Sequence, residues 1–220
     1  SYHGTTIYVT KPGIPTDPIE PTASYDPSLG DPQSTDGVIM MYGGFQDPFS
    51  KMFMQNTFPE IKSKYIDTGK WNFYFNNFPF SFHPDAQEAA EAAECAFFIE
   101  GNTEYWKYSN ALFVTDDLSV ANLKKLYLGT IDTNGAEKFN SCFDTGLGAI
   151  YVEHDISEGE KLGITGTPTF YVNGKLVVGA ISFDEFEKIL HEMSNKNQPS
   201  NECSEEYNIC IDKGIDTGTC

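Results

Sequence analysis

Apolar positions along the chain change their spacing several times, and each change predicts an element. Val38-Ile39-Met40-Met41-Tyr42, between Gly30 and Gly44, is a continuous apolar run of the kind carried by a buried strand. Asp47-Pro48 then predicts a helix start, because Asp at the cap accepts free amide hydrogens and Pro suits the first helical position. That helix runs through about Tyr65 and stops at Asp67-Thr68-Gly69, and Trp71 to Phe75 reads as a second strand. Strand, helix and strand form a βαβ unit, which predicts a parallel pair with a right-handed crossover.

The middle of the chain has helical character. An Ala-rich helix starts at Pro84-Asp85 and continues through Cys95 to about Ile99. Further helices are expected over Tyr105 to Phe113, Leu118 to Leu128, Glu137 to Phe143 and Glu153 to Leu162. Asn173-Gly174, set between the apolar runs Thr169 to Val172 and Lys175 to Val178, is a strong hairpin signal. Ser182 followed by Glu185 makes a capping box for a last helix, Phe183 to Met193.

The two ends differ from this core. Thr5-Thr6-Ile7-Tyr8-Val9-Thr10 has strand composition, and Pro12, Pro15, Pro18 and Pro21 follow at every third residue. Three-residue spacing puts these rings along one edge of a polyproline II rod of roughly 28 Å, which reads as a spacer or a docking arm. Beyond Ser194 the chain is a polar tail that carries three cysteines.

Composition narrows the function classes. The 220 residues are 40% hydrophobic and 14% aromatic, enough for a sizeable core. Against 32 acidic residues stand 14 basic ones, all lysine, for a net charge of −18. Nucleic acid is therefore not an expected partner, since phosphate binding needs basic clusters, and an anionic membrane surface is disfavoured in the same way. No apolar run approaches a membrane span, and Ser1 is not followed by a signal region, so a mature or trimmed soluble chain is expected, without membrane insertion.

Cys95, Cys142, Cys203, Cys210 and Cys220 form no C-x-x-C pair, and His3, His83, His154 and His191 share no ligand spacing. No metal and no cofactor are expected. An odd set of cysteines, three of them near the C-terminus, reads as an oxidising compartment with one thiol left for a partner. Asp-Thr-Gly recurs at Asp67, Asp144 and Asp216 and matches the aspartic-protease tripeptide, but the first two follow helices, where Gly is a normal stop. Asp132-Thr133-Asn134-Gly135 lacks the later ligands of a calcium loop and reads as a turn.

Several motifs, in order, carry a resemblance: Phe45-Gln46, Phe78-Pro79, His83-Pro84, Ala92-Ala93-Glu94-Cys95-Ala96, Tyr105-Trp106, Phe139-Asn140-Ser141-Cys142, and Gly163-Ile164-Thr165-Gly166-Thr167-Pro168-Thr169-Phe170. From about Gly30 to Met193 the chain resembles the DsbA-like secreted thiol:disulfide oxidoreductases. The resemblance implies an α/β thioredoxin fold interrupted by a helical insertion. On that scheme residues 1–29 are an extended Pro-rich segment, 30–78 the first half of the thioredoxin domain, 79–155 the insertion, 156–193 the second half and 194–220 the tail.

The family's redox motif is C-P-x-C at the start of the first helix, and the matching positions here are Asp47-Pro48-Phe49-Ser50. Thiol exchange needs a thiolate attacker and a resolving sulfur, so no catalytic residue is expected at Asp47 or Ser50. The buried acid that family members carry on the preceding strand falls at about Met41. Asp47 is expected to cap the helix instead. The resemblance makes Pro168 cis and gives Thr167 backbone groups that pair with an extended peptide. It also implies a structural Cys95–Cys142 disulfide, worth roughly 4 kcal/mol by loop closure. The pairing of Cys203, Cys210 and Cys220 stays open.

These readings combine into an extracytoplasmic protein, secreted, cell-surface or periplasmic, that is inert at the usual redox site. Its expected role is binding or self-assembly as a filament or surface subunit, with a protein, a peptide or a second copy as partner, the last joined through the N-terminal segment or a tail cysteine. The alternatives are an oxidoreductase with mutated or relocated cysteines, Cys203 and Cys210, and a peptide-holding chaperone using Thr167 and Pro168.

Overall fold

The computed structural model describes residues 26–31, 33–34, 36–131 and 135–194. Among the described residues, five strands form one sheet: β1 (Ser28–Leu29), β2 (Gly37–Gly43), β3 (Trp71–Asn77), β4 (Thr169–Val172) and β5 (Lys175–Val178), in the order β1-β3-β2-β4-β5. β2 and β3 are parallel, as the βαβ pattern predicts, and the other pairs are antiparallel. The predicted hairpin is present, with Asn173 and Gly174 both at positive φ as a two-residue turn of this kind requires. β1 pairs Ser28 with Tyr74 in a stretch that the hydrophobic pattern leaves extended but unpaired.

Helix α1 is one helical run made of Pro48–Met52, Phe53–Thr57, Phe58–Ile61 and Lys62–Ile66, in which the second and fourth segments widen to π-turns. Pro59 explains the first widening: it has no N–H, and its ring crowds the carbonyl four residues back, so the turn opens without ending the helix. The insertion contributes α2 (Ala86–Glu100), α3 (Asn102–Val114), α4 (Val120–Thr130) and α5 (Ala136–Asp144). Helix α6 (Leu147–Lys161) and α7 (Phe183–Ser194) complete the described chain.

The expected start of α6 at Glu153 is corrected to Leu147. Gly148 is not a helix stop there. A Cβ at Gly148 would overlap the Glu91 carbonyl oxygen, so glycine lets α6 lie against α2. α6 also crosses positions 155 and 156 without a break, linking the insertion to the second half of the sheet domain.

The core is aromatic. Phe53, Phe170 and Phe186 pack α1 and α7 against one face of the sheet, with Phe53 and Phe170 ring centroids 4.4 Å apart. Phe45 against Phe113 at 4.7 Å, and Phe73 against Trp106 at 6.0 Å, join the insertion to the same core. Met40, Tyr42, Tyr74, Phe78 and Ile164 form a smaller cluster, which Ile156 and Leu162 from α6 and its C-terminal turn cover. Cys95 and Cys142 are bonded, closing α2 onto α5. No helix among the described residues is long and apolar enough to cross a membrane. Thr5 to Thr10, the proline series, Asp132 to Asn134, Cys203, Cys210 and Cys220 lie outside the described residues.

Candidate functional site

β2 ends at Gly43, and four residues later the chain turns into α1. Asp47 caps that helix as the sequence predicts. Its side chain accepts the backbone N–H of Phe49 at 3.2 Å and of Ser50 at 2.9 Å. The Ser50 hydroxyl donates to the same carboxylate at 2.6 Å, a short charge-assisted bond, and both residues are buried. Ser50 Oγ also takes the Gly44 N–H at 3.4 Å. Positions 47 and 50 are therefore tied to each other by a hydrogen bond where a C-P-x-C motif would tie them by a disulfide.

Met41 lies beneath this helix start. A Cβ built on Gly43 would meet Met41 Cε at 2.9 Å, Ser50 Oγ at 3.0 Å and Phe75 Cε2 at 3.2 Å, so the three side chains converge on one point. The position that would need a proton-relaying carboxyl holds a thioether in apolar contact, and general acid–base chemistry has no group there.

Thr167-Pro168 is cis, as the resemblance implies, and runs directly into β4. Since Thr169 pairs with Tyr42 at the end of β2, the loop and the start of α1 occupy the same end of the sheet on neighbouring strands. Pro168 is buried and Thr167 half-buried. The Thr169 hydroxyl donates to the Gly166 carbonyl at 2.7 Å, and Gly179 N–H donates to the Pro168 carbonyl at 2.7 Å, so the loop is held from both sides.

This end of the molecule exposes apolar side chains. Phe49, on the first turn of α1, is 58% exposed, and Met52 is exposed one turn on. Phe82 is 72% exposed and stacks on Phe80 with ring centroids 5.1 Å apart. The segment bearing these rings starts beside the cap, because a Cβ on Gly44 would approach both the Phe78 carbonyl and Asp47 Cβ at 3.8–3.9 Å. Gln46 and Asp85 fix the same segment through two hydrogen bonds, at 3.0 and 2.8 Å. The arrangement offers an apolar surface and a loop beside it, and no thiol at positions 47 and 50.

One buried polar group was not anticipated. Asn77, at the end of β3, donates its backbone N–H to Asp155 at 2.8 Å and its side-chain amide to Glu94 at 2.7 Å, with all three residues buried. Glu94 inside an otherwise small, apolar helical stretch is the sequence signal for it. The bridge explains why β3 runs on to Asn77, past the predicted end at Phe75: the Asn77 backbone N–H and side-chain amide are carried inward onto α6 and α2. Nearby, burial and then the charges of Glu158 and Asp155 push the Tyr42 hydroxyl far above its ordinary range, so it stays protonated. Among the described residues, no three or more His, Cys, Asp or Glu side chains gather to hold a metal ion.

The thioredoxin family profile matches residues 22–192. Disulfide bond formation protein D of Bacillus subtilis is 26% identical over 178 residues, covering 79% of this chain and 79% of that protein. The crystal structure of oxidised BdbD from Bacillus subtilis superposes with a TM-score of 0.71 at 26% identity, covering 80% of this chain and 96% of that one. DsbA of Chlamydia trachomatis shares the fold at a TM-score of 0.69 and 21% identity, covering 82% of this chain and 96% of that one. With the sheet order, the interrupting helices and the cis Thr167-Pro168 loop, these matches place the chain in the DsbA-like thioredoxin family.

Proposed function

We propose that this chain is an extracytoplasmic member of its family that holds extended peptide segments without exchanging disulfides at the start of α1. The observation that carries this reading is the Asp47–Ser50 hydrogen bond, which occupies both motif positions at the sheet end that also bears the Thr167-Pro168 loop. A peptide laid beside Thr167 would use backbone hydrogen bonds, while Phe49, Met52 and Phe82 would take its apolar side chains. The Cys95–Cys142 disulfide fits an oxidising compartment.

The names of the relatives favour a second reading, a thiol:disulfide oxidoreductase with mutated or relocated cysteines, in which exchange would fall to cysteines such as Cys203 and Cys210. The self-assembly reading draws on Thr5 to Thr10 and Cys220 and gains no support from the described residues.

Two assays separate the first two readings. Insulin reduction by dithiothreitol should not exceed the uncatalysed rate. Aggregation of a reduced, carboxymethylated client, which has no thiols, should be slowed by the protein and less so by Phe49→Asp or Phe82→Asp. A client unaffected by the protein, or insulin turnover that disappears in Cys203→Ser or Cys210→Ser, overturns the holding reading.

A further inference from the structure

Among the described residues, β5 forms an open edge of the sheet, and no strand lies beyond it. Which of its backbone groups face outward follows from the hairpin. Val172 and Lys175 flank a two-residue turn and so exchange hydrogen bonds, as does every second pair after them. The Gly179 N–H to Pro168 carbonyl bond at 2.7 Å continues that alternation. Leu176 and Val178 therefore direct both N–H and C=O away from β4. The side chains of these two residues are also exposed, by 42% and 70%. Edge strands usually carry charge, proline or a bulge against pairing, and the lysine here, Lys175, is held by Glu192 at 2.8 Å.

We propose that Tyr207-Asn208-Ile209-Cys210-Ile211 of the same chain docks along β5 as a sixth strand. The chain leaves α7 at Ser194, and the Glu192–Lys175 ion pair sets that last turn beside the first residue of β5. Residues 195–206 can extend to roughly 40 Å, several times the length of a four-residue strand, so the segment can run in either direction. The segment is uncharged, and its apolar residues recur at every second position. Ile209 and Ile211 would cover Leu176 and Val178, and the tether makes the encounter intramolecular. Thr5 to Thr10 is also strand-like but belongs to the end that enters the fold at β1, the opposite edge of the sheet. The inference does not depend on the peptide-holding reading.

Residue-resolved amide hydrogen exchange on the full chain tests it. Lys175 and Val177, which pair with β4, serve as internal controls for folding. The amides of Leu176 and Val178 should exchange at least tenfold more slowly in the wild type than in Ile209→Pro, with the controls unchanged. Fast exchange at Leu176 and Val178 in the wild type overturns the proposal. So does protection that survives Ile209→Pro, including protection that is lost instead on dilution or in an Ile7→Lys, Val9→Lys variant, which assigns the edge to the N-terminal segment of a second copy.

Discussion

Removing the Asp47 carboxylate tests most directly whether the helix start is held as described. Asp47→Ala deletes three hydrogen bonds at once: from Phe49 N–H, from Ser50 N–H and from the Ser50 hydroxyl. Loss of an N-cap costs about 1 kcal/mol. The Ser50 side chain is fully buried, so a hydroxyl left without its acceptor adds about 1–3 kcal/mol. The sum, about 2–4 kcal/mol, corresponds to a fall in melting temperature of roughly 4–16 °C for a domain of this size. Ser50→Ala should be milder, about 1 kcal/mol, since it leaves the carboxylate with both backbone donors. In a double-mutant cycle the pair should couple by about 1–2 kcal/mol, read from urea unfolding at constant pH and ionic strength. An Asp47→Ala variant within about 0.5 kcal/mol of wild type would refute the argument, because a surface substitution does no more than that.

Other consequences can be measured on the same protein. Asp47→Cys with Ser50→Cys should form one additional reducible disulfide per chain, counted by thiol titration, because the two positions already close on each other; the absence of any new disulfide would show that the helix start is wrongly matched to the family motif. Cys95→Ala with Cys142→Ala should lower unfolding free energy by about 4 kcal/mol, since the bond spans 47 residues of sequence. Tyr65 donates to Glu187 at 2.8 Å, and burial together with that bond pushes its hydroxyl up to about 12. Stability from Tyr65 should thus be fully present below pH 10, its unfolded value, and be lost as pH rises through 12. Tyr65→Phe should be less stable than wild type by about 1 kcal/mol near pH 7, and urea titrations from pH 9 to 12.5 should show that deficit shrinking.

Most of the architecture was legible because local chemistry and tertiary demand agree. The apolar run at Val38 to Tyr42, the Asp47-Pro48 start, the Asn173-Gly174 turn and the Ser182–Glu185 box each specify one backbone geometry, and each element is where the sequence puts it. The misplacements share a cause. The apolar pattern predicts α6 only from Glu153 and β3 only to Phe75, which leaves out Gly148 and the Asn76-Asn77 pair. Gly148 is instead required by the Glu91 backbone, and Asn77 by Asp155 and Glu94, contacts 57, 78 and 17 residues away in sequence. No local periodicity reports such contacts.

The helix start was legible to a different depth. Substitution at positions 47 and 50 is visible in the sequence, as is the capping value of an aspartate before Pro48. What the sequence does not state is that Ser50 turns its hydroxyl onto that same carboxylate, and that Met41 and Phe75 close the space below it. The distinction matters for function. A cap alone would leave Ser50 free to meet a ligand, whereas a buried 2.6 Å bond commits both side chains to each other. On the proposed holding function, recognition at this end of the sheet would fall to backbone at Thr167 and to exposed rings such as Phe49 and Phe82, selecting a ligand by extended shape and apolar side chains.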